Sequence, residues 1–163
     1  VPKATDTQEV KDTELIGRSL HGKKDSEVFC DRGFIKWQQF YDSRLDENLS
    51  VDRIGNKNID RGSLLYLLPL AKKRMDKPFK GWAVIQVKKM RAGKRSFNII
   101  PTPINDDENP DNSNELHADI DRQDFRSETL AYTLAVTLSH LVSEITNLSD
   151  NKKISKDSVP VVS

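Results

Sequence analysis

The sequence predicts an α+β domain, a mostly antiparallel sheet packed against a long C-terminal helix. Three observations predict it. An apolar stripe at period 3.6 runs from Leu130 to Ile145. Three short segments rich in β-formers precede it, at 82–87, 97–100 and 116–121. Strand and helix segments do not alternate strictly, which argues against a parallel doubly wound sheet.

In chain order, residues 1–14 are polar and aperiodic and read as a mobile N-terminal arm. The domain is expected over 15–149, followed by a polar tail at 150–163. Trp37, Phe40 and Tyr41 fall at helical spacing and read as core packing. Residues 49–53 read as a strand with Leu49, Val51 and Arg53 on one face and Ser50 and Asp52 on the other. Ser63 is expected to cap a helix at 64–75; Pro69 removes a hydrogen bond there, so the helix either kinks at Pro69 or begins at it. Residues 82–87 form a strand bounded by Gly81 and Gly93, and a basic loop at 88–95 joins it to 97–100 as an antiparallel hairpin. The Asp-, Asn- and Pro-rich stretch 101–114 is a loop. In the strand at 116–121, Leu116, Ala118 and Ile120 face inward, leaving His117, Asp119 and Asp121 outward. Ser127 caps the final helix, 127–147, and Glu128 favours its first turn through the helix dipole.

Composition bounds the function. The chain has 163 residues, 36% hydrophobic and 31% charged. That is polar for a compact fold, so about 110–130 residues are expected to fold. Lys plus Arg is 26 against 25 Asp plus Glu. A net charge of +1 argues against a polybasic membrane anchor or a nucleic-acid coat. No apolar run approaches the roughly 18–20 residues that span a bilayer, so no membrane partner is expected. No apolar core of a signal peptide follows Val1-Pro2-Lys3. The single cysteine, Cys30, excludes an internal disulfide and a Cys-rich zinc site. It points to a reducing cytoplasm, with the thiol buried or incidental. No phosphate loop, G-x-S-x-G elbow or H-E-x-x-H pair is present.

Three constellations carry possible chemistry. His117, Asp119 and Asp121 share one strand face at roughly 6–7 Å spacing. Neighbours there can converge on a divalent metal, or pair imidazole with carboxylate for acid–base work. Arg53 points inward and must be paired or reach an anionic ligand, with Asp46, Glu47 and Asp60 as candidate partners. Lys88, Lys89, Arg91, Lys94 and Arg95 put five cations within eight residues. With Lys72, Lys73, Arg74 and Lys77 they could form a positive surface for phosphate backbones. Each has a plainer structural reading: a polar outer strand face, a structural salt bridge, a solvated hairpin tip.

The segments Leu49-Ser50-Val51-Asp52-Arg53, Gly81-Trp82-Ala83-Val84 and His117-Ala118-Asp119-Ile120 resemble a group of small bacterial proteins. The resemblance covers residues 29–121 and leaves the C-terminal helix outside. It brings no activity with it. It implies only that Ser50, Asp52, Arg53, His117 and Asp119 should be weighed together.

The expected function is a small cytosolic protein-binding module, regulatory, immunity or accessory, without its own catalysis or cofactor. The alternative is an enzyme acting on a phosphate- or nucleotide-containing substrate. There Ser50, Asp52 and Arg53 would bind substrate, with Arg53 as anion grip. His117 and Asp119 would supply acid–base chemistry, or with Asp121 hold a divalent metal. A second alternative is a nucleic-acid-binding accessory using the 88–95 loop.

Overall fold

The sheet is built around a strand that shows no clean alternation, Glu-Leu-Ile-Gly-Arg-Ser-Leu-His. It was not expected from the sequence. The computed structural model describes residues 9–30, 34–92 and 97–148, and the backbone of 152–155. Its elements are β1 (Glu14–His21), β2 (Leu49–Asn56), β3 (Asn58–Ile59), α1 (Arg61–Lys73), β4 (Phe79–Gln86), α2 (Val87–Arg91), β5 (Ile99–Pro101), β6 (His117–Ile120), α3 (Glu128–Leu141), β7 (Val142–Asn147) and β8 (Lys152–Ser155). They form one sheet in the order β5-β6-β2-β1-β4-β7-β8, with β3 hairpinned onto β2. Every described strand pair is antiparallel. The α+β class, the antiparallel sheet and the C-terminal helix are as the sequence predicts.

Both faces of the sheet are covered. On one, Ile16, Leu20, Leu49, Val51, Ala118 and Ile120 pack with Leu134, Ala135 and Leu138 of α3. Phe40 joins this core, and Trp37 stacks edge-on against Tyr41 and Tyr132. On the other face, Leu15, Ile54, Trp82 and Val84 pack with Leu64, Leu67 and Ala71 of α1. Fully burying each large aliphatic side chain contributes roughly 1.5–3 kcal/mol. Two covered faces explain why β2 and β4 are near-continuously buried rather than alternating.

Several expected boundaries move, each for a local reason. Residues 9–14 belong to the packed domain, not to a mobile arm: Val10 is fully buried and Glu14 opens β1. Residues 1–8 lie outside the described residues. Helix α1 is capped by Asp60 rather than Ser63. The Asp60 carboxylate accepts from the Ser63 amide at 3.2 Å and its hydroxyl at 2.7 Å, so the helix starts earlier and Pro69 sits inside it. Ser127 does cap α3, accepting from Leu130 N at 3.2 Å. The helix expected at 127–147 stops at Leu141, and Val142–Asn147 becomes β7, paired to β4. A bulge opposite Val84 and Ile85 makes Ser143 an extra residue, whose hydroxyl bonds Val84 O at 3.2 Å. The bulge brings Val142 and Ile145 into the same core at a spacing of three, which in sequence imitates a helix.

The expected hairpin between 82–87 and 97–100 does not form. β4 and β5 lie on opposite sides of β1, and β5 pairs with β6. The connecting segment carries buried Val87, Met90 and Phe97, which a hairpin tip would leave in water. At the C-terminus β8 pairs with β7 within the expected polar tail, and the rest of 149–163 lies outside the described residues. Cys30 is exposed. No helix among the described residues is long and apolar enough to cross a membrane.

Candidate functional site

β2 and β6 are neighbours, with Asp52 opposite His117 and Ser50 opposite Asp119. Four of the residues singled out in the sequence therefore meet on one strand pair. Asp52 is fully buried. It holds Arg74, the residue just past α1, through two bonds of 2.6 and 2.8 Å, and accepts a third from Asn114 Nδ2 at 3.0 Å. The carboxylate expected to bind substrate is thus occupied by Arg74 and Asn114. Burial lowers the pKa of Arg74, but the attraction and hydrogen bonds of Asp52 outweigh it and raise it overall.

Arg53, the proposed anion grip, does not join them. One residue further along a strand, it faces the other way. Its Nε and Nη2 bond Glu14 at 2.8 and 2.9 Å in a buried pair. Of the expected partners, Glu47 pairs with Arg44 and Asp60 caps α1.

What the structure assembles instead is a cleft of about 430 Å³. β1 supplies Arg18, Ser19 and His21. The end of α1 and the following turn supply Leu70, Lys73, Arg74 and Met75. Asp42, Arg44 and Ser50 close one side, and Ile104, Asn112, Asn114 and His117 the other. The β1–β2 ladder ends at Gly17 and Asp52, and the Arg18 side chain occupies the opening beyond. Its guanidinium donates to two backbone carbonyls, Ser50 O at 2.6 Å and Gln39 O at 3.0 Å. Among the described residues no carboxylate bonds it. Burial first, and then the neighbouring Arg74, lower its pKa to about 10.

Arg44 lies across the opening, paired with Asp42 at 2.7 Å. Its hydrogen bond is the main cause that holds the Asp42 carboxyl below its usual range. This loop is itself pinned by Arg122, which is fully buried and donates to the carbonyls of Asp42, Arg44 and Glu47. Among the described residues Lys73 reaches neutral partners, Asn112 Oδ1 at 3.3 Å and Asp111 O at 3.5 Å. So among the described residues Arg44 and Arg74 have carboxylate partners in the cleft, while Arg18 and Lys73 do not.

Both cleft histidines have one nitrogen fixed by a carbonyl. His117 Nδ1 lies 3.0 Å from Thr102 O, and a carbonyl can only accept. Nδ1 also lies 2.8 Å from the Thr102 hydroxyl, and Nε2 is 4.0 Å from Asp119. His21 Nδ1 lies 3.3 Å from Lys77 O and Nε2 3.1 Å from Ser19 Oγ. Burial is the first cause that lowers the pKa of His21, with Arg74 and Arg18 adding to it.

The proposed metal trio is not assembled. Asp121 lies past the end of β6, and its carboxylate accepts from Gln123 N at 2.9 Å. Among the described residues no group of three or more His, Cys, Asp or Glu side chains is placed to hold a metal ion. The basic cluster is also divided. Lys88, Lys89 and Arg91 lie on α2, not on a hairpin tip, and Arg91 pairs with Asp12 at 2.6 Å. Lys94 and Arg95 lie outside the described residues. Lys72, Lys73 and Arg74 sit toward the opposite end of β4 from α2, so the two groups do not merge into one surface.

The residues that sequence reasoning missed are Arg18, His21, Arg44, Asn114 and Arg122. Only two left a signal: Arg18 interrupts the buried run between Ile16 and Leu20, and Arg122 follows a buried strand end. No protein-family model, curated protein or solved structure matches the chain, and the chemistry of this site rests on its own geometry.

Proposed function

We propose that the protein binds a small phosphate-bearing ligand in the cationic cleft. The observation that carries this reading is Arg18, a half-buried guanidinium lining the cleft that, among the described residues, bonds two backbone carbonyls and no carboxylate. Lys73 and Arg74, whose Nη1 and Nη2 already hold Asp52, add positive charge to the same cleft. Guanidinium forks match phosphate oxygens geometrically, and desolvation strengthens the attraction. Leu70, Met75 and Ile104 give the same cleft apolar contact for an organic part of the ligand.

This reading keeps the phosphate-containing ligand of the sequence-based alternative and replaces its anion grip, Arg53, with Arg18. A protein-binding module has less support. The exposed large apolar residues Leu65 and Tyr132 lie on α1 and α3, on opposite faces of the sheet, while Met75 and Ile104 belong to the cleft. A nucleic-acid role has less support because the basic cluster is divided. A single cysteine supports placing this activity in a reducing compartment, the cytoplasm.

The test is calorimetric titration with inorganic phosphate and a nucleoside monophosphate. Removing one charge-assisted bond costs about 1.5–3 kcal/mol, so Arg18→Gln should weaken binding about 10- to 150-fold. Lys88→Gln with Lys89→Gln should leave it unchanged. No binding by the native chain, or equal loss in both variants, refutes the assignment.

A further inference from the structure

The floor of the cleft holds an arrangement that anion binding alone does not require. Ser19 and His21 are two residues apart on β1 and point to the same side of the strand. Ser19 Oγ lies 3.1 Å from His21 Nε2. His21 Nδ1 faces the Lys77 carbonyl at 3.3 Å, so Nδ1 is the donor and Nε2 the acceptor. The serine hydroxyl therefore donates to the imidazole. From its other side Ser19 Oγ accepts from Arg74 Nη1 at 3.3 Å, and Arg74 is held by Asp52. Arg74 donates to both Asp52 and Ser19, and from Ser19 the donation runs through His21 to the Lys77 carbonyl.

The imidazole is also fixed. Gln39 clamps the His21 backbone twice, accepting from its amide at 3.1 Å and donating to its carbonyl at 3.0 Å. Phe79 lies against the ring with centroids 5.8 Å apart. The turn that offers the Lys77 carbonyl is tied to β1 by Gly22 N bonding Pro78 O at 3.1 Å. A hydroxyl bonded to a base that a third group orients is the geometric signature of an activated nucleophile. Here both members open into a cleft of a few hundred Å³ lined by cations.

We propose that Ser19 and His21 are a nucleophile and general base that cleave a phosphate ester bound in this cleft. The pair stands on its own geometry, while the choice of a phosphate ester rests on the anion-binding reading. In the first half-reaction an Oγ–P bond forms and the bond from phosphorus to the leaving oxygen breaks. The Ser19 proton passes to His21 Nε2 and then to the leaving oxygen. In the second, water attacks phosphorus, His21 takes its proton, the P–Oγ bond breaks, and the proton returns to Ser19. The net change is ester plus water to alcohol plus phosphate, with no other reactant. Arg74 and Arg18 meet the charge on the phosphoryl oxygens. Burial keeps His21 neutral and able to accept at neutral pH.

The test uses the full chain and an alkyl fluorophosphonate, which reacts with an activated serine by forming P–Oγ and releasing fluoride. Peptide mass spectrometry should find the adduct on Ser19. It should form on the order of 10²-fold faster than in His21→Gln, and inorganic phosphate should slow it. No adduct on Ser19 in the native chain overturns the pair, whether or not the variant folds. So does an adduct that forms as fast in folded His21→Gln. Phosphate binding without an adduct refutes the pair and leaves the anion site standing. An adduct that phosphate does not slow supports the pair and refutes the phosphate-ester assignment.

Discussion

Replacing Asp52 by Asn keeps the side-chain shape and removes one charge where β2, the end of α1 and the turn before β6 meet. Asp52 is fully buried and accepts two bonds from Arg74 and one from Asn114. Removing one partner of a buried ion pair costs roughly 3–5 kcal/mol, because the other charge stays behind. The Arg74 side chain is 28% exposed, so water reaches it and the lower end, about 3 kcal/mol, applies. For a chain of 163 residues each kcal/mol moves Tm by about 2–4 °C, giving an expected fall of about 6–12 °C. Thermal and urea unfolding followed by circular dichroism measure it, alongside Arg74→Met and the double variant. Residues in one buried pair should couple, so the double variant should be more stable than the sum of the singles predicts, by about 1–3 kcal/mol. Phosphate affinity of the folded Asp52→Asn chain should fall as well, since Arg74 loses its orientation. A stability within about 0.5 kcal/mol of the native chain, or additive single effects, would refute the claim that Asp52 holds Arg74 in place.

Two further predictions concern the groups behind the cleft. Arg122→Met removes three donors from the carbonyls of Asp42, Arg44 and Glu47, at about 1–3 kcal/mol for each carbonyl that water does not reach. The segment 42–48 should then become the first site of limited proteolysis, and an unchanged cleavage pattern would contradict the pinning role. For His21, burial and the facing Arg18 and Arg74 lower the pKa, while the Lys77 carbonyl opposes this; the Phe79 ring and the Lys77–Glu27 pair complete its surroundings. The unfolded chain takes up the proton near pH 6.5 and the folded chain at lower pH, so stability is full above about 6.5 and falls as pH drops through the interval between the two. The native advantage over His21→Gln in urea unfolding should shrink between pH 7.5 and 5.5, by at most about 1.4 kcal/mol per unit; a constant or growing advantage reverses the sign.

Much of the local structure was legible. Leu49 and Val51 enter one core and Ile54 the other, as alternation on β2 requires, and Ala118 and Ile120 face inward opposite His117 and Asp119. These assignments follow from side-chain direction along a strand, which neighbouring residues alone determine. β1 leaves no period-two signal in the sequence, because both of its faces are covered and it carries Gly17 and Arg18 at its centre. β7 resembles helix in the sequence because a bulge gives Val142 and Ile145 a helical spacing. Arg53 was legible as an inward cation in need of a partner, but not which one, since Glu14 lies 39 residues away.

By itself the sequence determined the α+β class, the start of the C-terminal helix at Ser127, the absence of a phosphate loop and the face on which His117 and Asp119 stand. Those properties depend on hydrogen bonds and side-chain directions within a few residues. Only the tertiary structure decided that Arg18, Arg44, Lys73 and Arg74 converge while Lys88, Lys89 and Arg91 stay apart. Charge acts through space, and the cleft draws its cations from segments brought together by strand order, which no local pattern records.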